Sequence, residues 1–312
     1  MPEQEIAIEN SILKVRVGSH LYGTNLESSD EDFVGIFIPT EDYILGFKRI
    51  EQVDISTKSK QQDGKNSKDA IDYTAYTLHK FARLALDNNP NIIEIMFVDY
   101  KNVNFINKIG SEFLSYNMSF PSKNIKHRFL GYAFSQKHKM VIKLENYEKI
   151  NEAISFLERH EELEFVLDIQ HPLFERKKDI IRVGDVNIPA AFKCKKAKEN
   201  LQRRLQTFGN RKELVERYHY DVKFGSHLIR LMKEGIELLS TGYLKFPLEY
   251  KDLLIDIRTG KYELGQVLEL SDKLEKETEE TYEKSKLPNT PDFNTIEQFV
   301  IKVHRDLILN RK

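Results

Sequence analysis

The chain is 312 residues long, with 40% hydrophobic and 31% charged residues and a formal net charge of −1. That length supplies one large or two ordinary domains, and the composition is that of a soluble globular protein rather than a disordered one. The near-neutral balance excludes a polycation, so any nucleic-acid contact must come from a local patch, and the single cysteine, Cys194, excludes an intramolecular disulfide.

The N-terminal stretch MPEQEIAIENSILKV has neither a basic n-region nor a long apolar run, so no signal peptide is expected. No apolar run reaches the roughly 18 residues of a membrane helix, and a cytoplasmic protein without a membrane partner is expected. The β-branched run SILKVRV predicts a strand over 11–17, and DFVGIFI predicts another over 32–38, closed by Pro39. A third strand is expected over 70–76, after the polar stretch STKSKQQDGKNSKD, which reads as a loop or hairpin tip. From Thr77 the apolar spacing turns helical; Asn88-Asn89-Pro90 stops that helix, and Pro90 opens the next.

Beyond about residue 105 the pattern is mostly helical, broken near Pro121. Helices are expected over 191–207, 211–219, 222–241, 262–285 and 295–310, the last with Asn294 and Glu297 as a capping box. One β exception is DIIRVGDVNIPA, where Gly184-Asp185 suits a two-residue hairpin turn. The expected fold class is α+β: a domain over 1–120 built on a small mixed sheet, then a mostly helical domain over 121–312 with a hairpin near 180–190.

The chemistry concentrates in GSHLYGTNLESSDEDFVGIFI. In an extended strand Asp30 and Asp32 share a face with Val34, Ile36 and Ile38. Two carboxylates so placed repel unless a cation sits between them, and Mg²⁺, with Mn²⁺ as the alternative, suits carboxylate oxygens while keeping positions for phosphate. Upstream, Gly18-Ser19 ends a strand where the backbone can approach an anion. A solvated acidic loop is the competing reading; the Gly-Ser spacing and the flanking strands favour the site. A P-loop is not formed, because Thr24 stands where that motif needs lysine, and the dinucleotide fingerprint is absent.

This unit resembles the active-site signature of the DNA polymerase β nucleotidyltransferase superfamily. The blocks GSHLYGT…SDEDFVGIFI, DYTAYTLHKFARLALDNNPNIIEIMF and YDVKFGSHLIRLMKEGIELLSTG together resemble its RNA-repair-associated (YcgL/RlaP-like) branch over about residues 15–260. Phe33-Val34-Gly35 departs from relatives that carry an arginine before the glycine. The resemblance implies a polymerase-β-like core and a third carboxylate on a neighbouring strand, for which Asp72 is the candidate and Asp69 the runner-up. Asp72 also suits a strand end or helix cap. Asp30, Asp32 and Asp72 would then be the catalytic metal ligands. The implied reaction is two-metal transfer of a nucleoside monophosphate from an NTP to a hydroxyl, with pyrophosphate leaving. An RNA 3′ end is the first acceptor expected, in RNA repair or tRNA end maintenance. A protein or small-molecule acceptor, or a silent nucleotide- or RNA-binding module, is the alternative.

Gly18 and Ser19 are the candidate phosphate cradle. Lys223, His227 and Arg230, spaced i, i+4, i+7 behind the expected cap Asp221, form a cationic stripe suited to a triphosphate or to solvent. Two basic stretches supply candidate RNA contacts: Lys126, Arg128, Lys137 and Lys139 in the first, Lys195 and Lys196 in the second. Asn89, Pro90 and Glu94 belong to the second family block with no role beyond positioning their helix.

Overall fold

The computed structural model describes residues 2–26, 29–56, 71–206 and 217–309. The expected loop over 56–69 apart from Ser56, with Asp69, and most of the expected helix over 211–219 lie outside the described residues. The fold is α+β. Two compact units form: residues 1–132, 230–255 and 271–312 make the first, and residues 133–229 and 256–270 the second. Each unit is built from separate segments, and the expected boundary at residue 120 falls inside the first. The apolar stripe of a helix says that one face is buried, not against which element, and the C-terminal helix Phe293–Leu309 belongs to the first unit.

The first unit holds a five-stranded sheet of β1 (Ser11–Val17), β2 (Glu31–Phe37), β3 (Gln52–Asp54), β4 (Ile71–Thr77) and β5 (Val103–Ile106), in the order β3-β4-β2-β1-β5. The pair β2–β4 is parallel; β1–β2, β1–β5 and β3–β4 are antiparallel. The three expected strands are present within a residue of their expected ends. The short edge strands β3 and β5 had no pattern long enough to reveal them.

One face of this sheet is covered by the N-terminal helix Glu3–Glu9, whose Ile6 and Ala7 pack on Phe33, Phe37, Val53, Tyr73 and Ala75. Thr77 ends β4 and caps the helix Leu78–Leu86, its hydroxyl accepting from the Lys80 N–H at 3.2 Å. Phe81 of that helix packs edge-on against Phe113, which stacks on Phe299 of the C-terminal helix at 5.6 Å between centroids. That helix starts earlier than expected. Asp292 is its cap, accepting from the Thr295 N–H at 3.1 Å, so Asn294 lies inside the first turn.

The second unit contains a three-stranded meander: β6 (Glu175–Lys177), β7 (Ile180–Val183) and β8 (Val186–Pro189). Val183 pairs with Val186, so Gly184-Asp185 is the two-residue turn, and Gly184 has the positive φ (57°) such turns need. Ile181, Val183 and Ile188 pack against Ile150, Leu157 and Leu201. Among the described residues no helix is long and apolar enough to cross a membrane.

Candidate active site

The site begins where β1 ends. Val17 pairs with Asp32 on β2, and Asp32 pairs in parallel register with Asp72 on β4. Residues paired in register point to one face, so the two carboxylates are neighbours on adjacent strands. Asp32 is partly buried and Asp72 exposed. The other face carries different chemistry: Glu31 pairs with Arg16 at 3.3 Å, and the Lys14 ammonium lies over the Phe33 and Tyr73 rings.

Gly18 follows directly on β1, with φ 66° and ψ −144°. That backbone is almost closed to residues with a Cβ. A Cβ here would come within 2.5 Å of Asp32 Oδ2. The glycine therefore serves two ends: it turns the chain into the short helix Ser19–Tyr22 and lets the Asp32 carboxylate lie against the backbone, where a Cβ would collide with it.

Asp30 does not join as expected. β2 opens at Glu31, so strand alternation does not fix the direction of Asp30, which stands exposed ahead of the sheet. Among the described residues no three His, Cys, Asp or Glu side chains come together as a metal-holding group. Of the three expected carboxylates, strand register makes neighbours of Asp32 and Asp72. The donor chemistry of that pair fits a hard divalent cation.

The cationic stripe is corrected more strongly. Lys223 and His227 are exposed on the helix Val222–Thr241, but Arg230 is buried, 4% exposed. Its Nη1 donates to Glu234 at 2.8 Å and to Glu94 at 3.2 Å, and its guanidinium lies 4.4 Å from the centre of the Tyr22 ring. An arginine so committed is not offered to a triphosphate. The turn of helix that puts Arg230 in line with Lys223 also puts Glu234 at i+4 from it, and burial favours the paired arginine. Asp221 does cap this helix, accepting from the Lys223 N–H at 3.2 Å.

Glu94, which the sequence left without a role, is a centre of this network. Both its oxygens accept from the Tyr22 hydroxyl at 2.9 Å. Burial raises the pKa of Glu94, against the pull of Arg230 and the Tyr22 hydrogen bond. Burial also pushes Glu234 up to about 8, with Arg230 holding it down and Glu94 pushing it further. Tyr22 is raised well above the usual phenol range, first by burial and then, against Arg230, by Glu94 and Glu234. For Arg230, burial opposes the charge, but Glu234, Tyr22 and Glu94 overcome it and hold the guanidinium protonated. One fixed cation serves two buried carboxyls, and burial disfavours the charge on both.

The expected RNA contacts divide. Lys126 pairs with Glu279 and lies over the Tyr282 ring, and Arg128 donates to the Asp87 carbonyl at 2.9 Å. Lys139, Lys195 and Lys196 are exposed, with Lys196 lying 4.1 Å from the centre of the Phe192 ring; Lys137 is partly buried.

Residues 3–302 match the model of a known family, described as the RNA repair pathway DNA polymerase beta family (RlaP). The chain belongs to that family. Membership supports nucleotidyl transfer as its general chemistry, and the matched span contains β1, β2 and β4 with the Gly18, Asp32 and Asp72 arrangement. The chain is also similar to an uncharacterised 38.9 kDa protein from the nrdC–mobD intergenic region of Enterobacteria phage T4. The two are 25% identical over 301 residues, covering 83% of this chain and 85% of that protein. A crystal structure of a nucleotidyltransferase-like protein from Exiguobacterium sibiricum aligns over 98% of this chain and 78% of its own, at 8% identity and a TM-score of 0.26.

Proposed function

We propose that the protein is a Mg²⁺-dependent nucleotidyltransferase that moves a nucleoside monophosphate from an NTP to an acceptor hydroxyl, with an RNA 3′ end as the first acceptor. The observation that carries this reading is the register pairing of Asp32 with Asp72 beside Gly18. Asp32 and Asp72 would hold the metal, with Asp30 joining them from the segment ahead of β2. A bound divalent ion neutralises triphosphate charge and lowers the pKa of an acceptor hydroxyl.

The chain's own residues do the rest. Gly18 lets the backbone lie against Asp32, and Ser19 beside it would offer a hydroxyl to a phosphate oxygen. Asp72, the more exposed carboxylate, would accept a hydrogen bond from the incoming hydroxyl and orient it. Tyr22, Glu94 and Arg230 stay out of the chemistry, because they are buried and the Tyr22 hydroxyl, the Glu94 carboxylate and Arg230 Nη1 bond one another.

The test is incubation of purified protein with Mg²⁺, each labelled NTP and a pool of small RNAs, with the Asp32→Asn/Asp72→Asn double variant in parallel. Label on RNA with the wild type alone supports the reading and names the nucleotide. Label on protein or on a small molecule transfers the same chemistry to another acceptor. Equal labelling by the double variant overturns the site.

A further inference from the structure

We infer that Tyr22, Glu94 and Arg230 form a positioning relay that fixes the Gly18–Tyr22 turn at the place where the nucleotide's phosphates must sit. This rests on the reading that the Asp32–Asp72 pair is the transfer site. Gly18 and Tyr22 are the two ends of one helical turn, joined by the Tyr22 N–H donating to the Gly18 carbonyl at 3.1 Å. At the Gly18 end the chain lies against Asp32. At the Tyr22 end the hydroxyl is held by both oxygens of Glu94, and Arg230 holds Glu94 from the other side.

Two more tethers fix the same turn. The Leu248 N–H donates to the Tyr22 carbonyl at 3.1 Å. Gly23, at φ 72°, lies so close to Pro247 that a Cβ would come within 2.8 Å of its ring. A four-residue helix is far too short to be stable alone, so its geometry comes wholly from such contacts.

Packing alone does not call for charge here. Apolar side chains of similar volume would hold two elements together as well or better than a buried guanidinium between carboxylates. What the charged relay supplies is direction. The planar guanidinium orients Glu94, and Glu94 fixes the Tyr22 hydroxyl to a single place. That fixity matters only if something must be met accurately by the turn, and the turn's other end borders the carboxylate pair.

The experiment compares wild type, Tyr22→Phe, Glu94→Gln and Glu94→Ala by hydrogen exchange and by steady-state transfer. Tyr22→Phe keeps the ring and removes the hydroxyl; Glu94→Gln keeps an acceptor oxygen, and Glu94→Ala keeps none. Tyr22→Phe should fold, with amides over 18–24 exchanging about tenfold faster. The KM for NTP should rise about tenfold while the KM for the acceptor stays unchanged. Glu94→Gln should retain most of the protection that Glu94→Ala loses. Unchanged exchange over 18–24 in Tyr22→Phe overturns the proposal, and so does faster exchange with an unchanged KM for NTP. If Glu94→Ala does not fold, Tyr22→Phe still decides. If wild type transfers no nucleotide to any acceptor, the functional reading fails, and the exchange result still decides whether the relay fixes the turn.

Discussion

Asp32 and Asp72 occupy paired positions on adjacent parallel strands, so their carboxylates face the same side of the sheet as neighbours. Like charges so placed destabilise a sheet. Neutralising one should therefore raise the melting temperature of the metal-free protein slightly, while transfer falls by about a hundredfold or more. Added Mg²⁺ or Mn²⁺ should raise the melting temperature of the wild type and leave that of Asp72→Asn unmoved. Thermal melts with and without metal, run beside the transfer assay, check this. A variant that is both less stable and still active would show that the pair serves the fold instead.

Gly18 makes a sharper case, because the obstacle is steric. In Gly18→Ala the new Cβ meets Asp32 Oδ2, and the φ of 66° adds backbone strain of about 1–3 kcal/mol. Stability should fall by that order, and transfer should fall further, since Asp32 must move to make room. Gly131 is the control: a Cβ there meets nothing within 4 Å, and Gly131→Ala, inside the helix Ile125–Arg159, should raise stability slightly and leave transfer where it was.

How much of this was legible beforehand follows from what a pattern can encode. The strands carrying Asp32 and Asp72 were visible because alternating β-branched runs are local signals. Gly18 was visible because few residues tolerate such a turn. The assignment of Lys223, His227 and Arg230 to one face was correct as helical geometry, yet its extension to one exposed site failed at Arg230. Helical spacing says which side chains align, whereas burial depends on what packs against them, here Tyr22 and Glu94, 72 residues apart in sequence. Glu234, at i+4 from Arg230, was the local hint that the arginine was already partnered. Asp30 differs: alternation applies only inside the strand, and the strand starts one residue later, so alternation does not fix its direction.

The buried network also makes a pH prediction. Glu234 is raised from the ordinary carboxyl range to about 8, so the folded chain holds a proton there that the unfolded chain has lost. Folded protein binds more protons than unfolded between roughly pH 4.5 and pH 8, and stability must therefore fall as pH rises through that window. The contribution is complete below the unfolded value and gone above the folded one. Arg230, Glu94 and Glu237 act on Glu234, and Tyr22 and Tyr250 face it closely enough to be raised by it. Glu94 is shifted in the same direction and adds to the slope. Urea midpoints measured from pH 5 to pH 9 should decline, and the decline should flatten in Glu234→Gln. A flat wild-type profile would mean that both carboxyls stay ionised around Arg230.

The last prediction separates lysines that hold the fold from lysines free to meet a nucleic acid. Lys126 is largely covered, paired with Glu279 and laid over the Tyr282 ring, so Lys126→Ala should lower stability more than it lowers RNA affinity. Lys195 and Lys196 are exposed near the start of the helix Cys194–Gln206, and Lys196 rests on the face of Phe192. Removing both should leave stability nearly unchanged and weaken binding to single-stranded RNA. If each meets one phosphate, the salt slope of the affinity should fall by about 1.4, two released counterions at the single-strand value. Binding titrations at several salt concentrations give that slope directly. An unaltered slope in the double variant, with the wild type still binding RNA, would place the acceptor's backbone elsewhere on the protein.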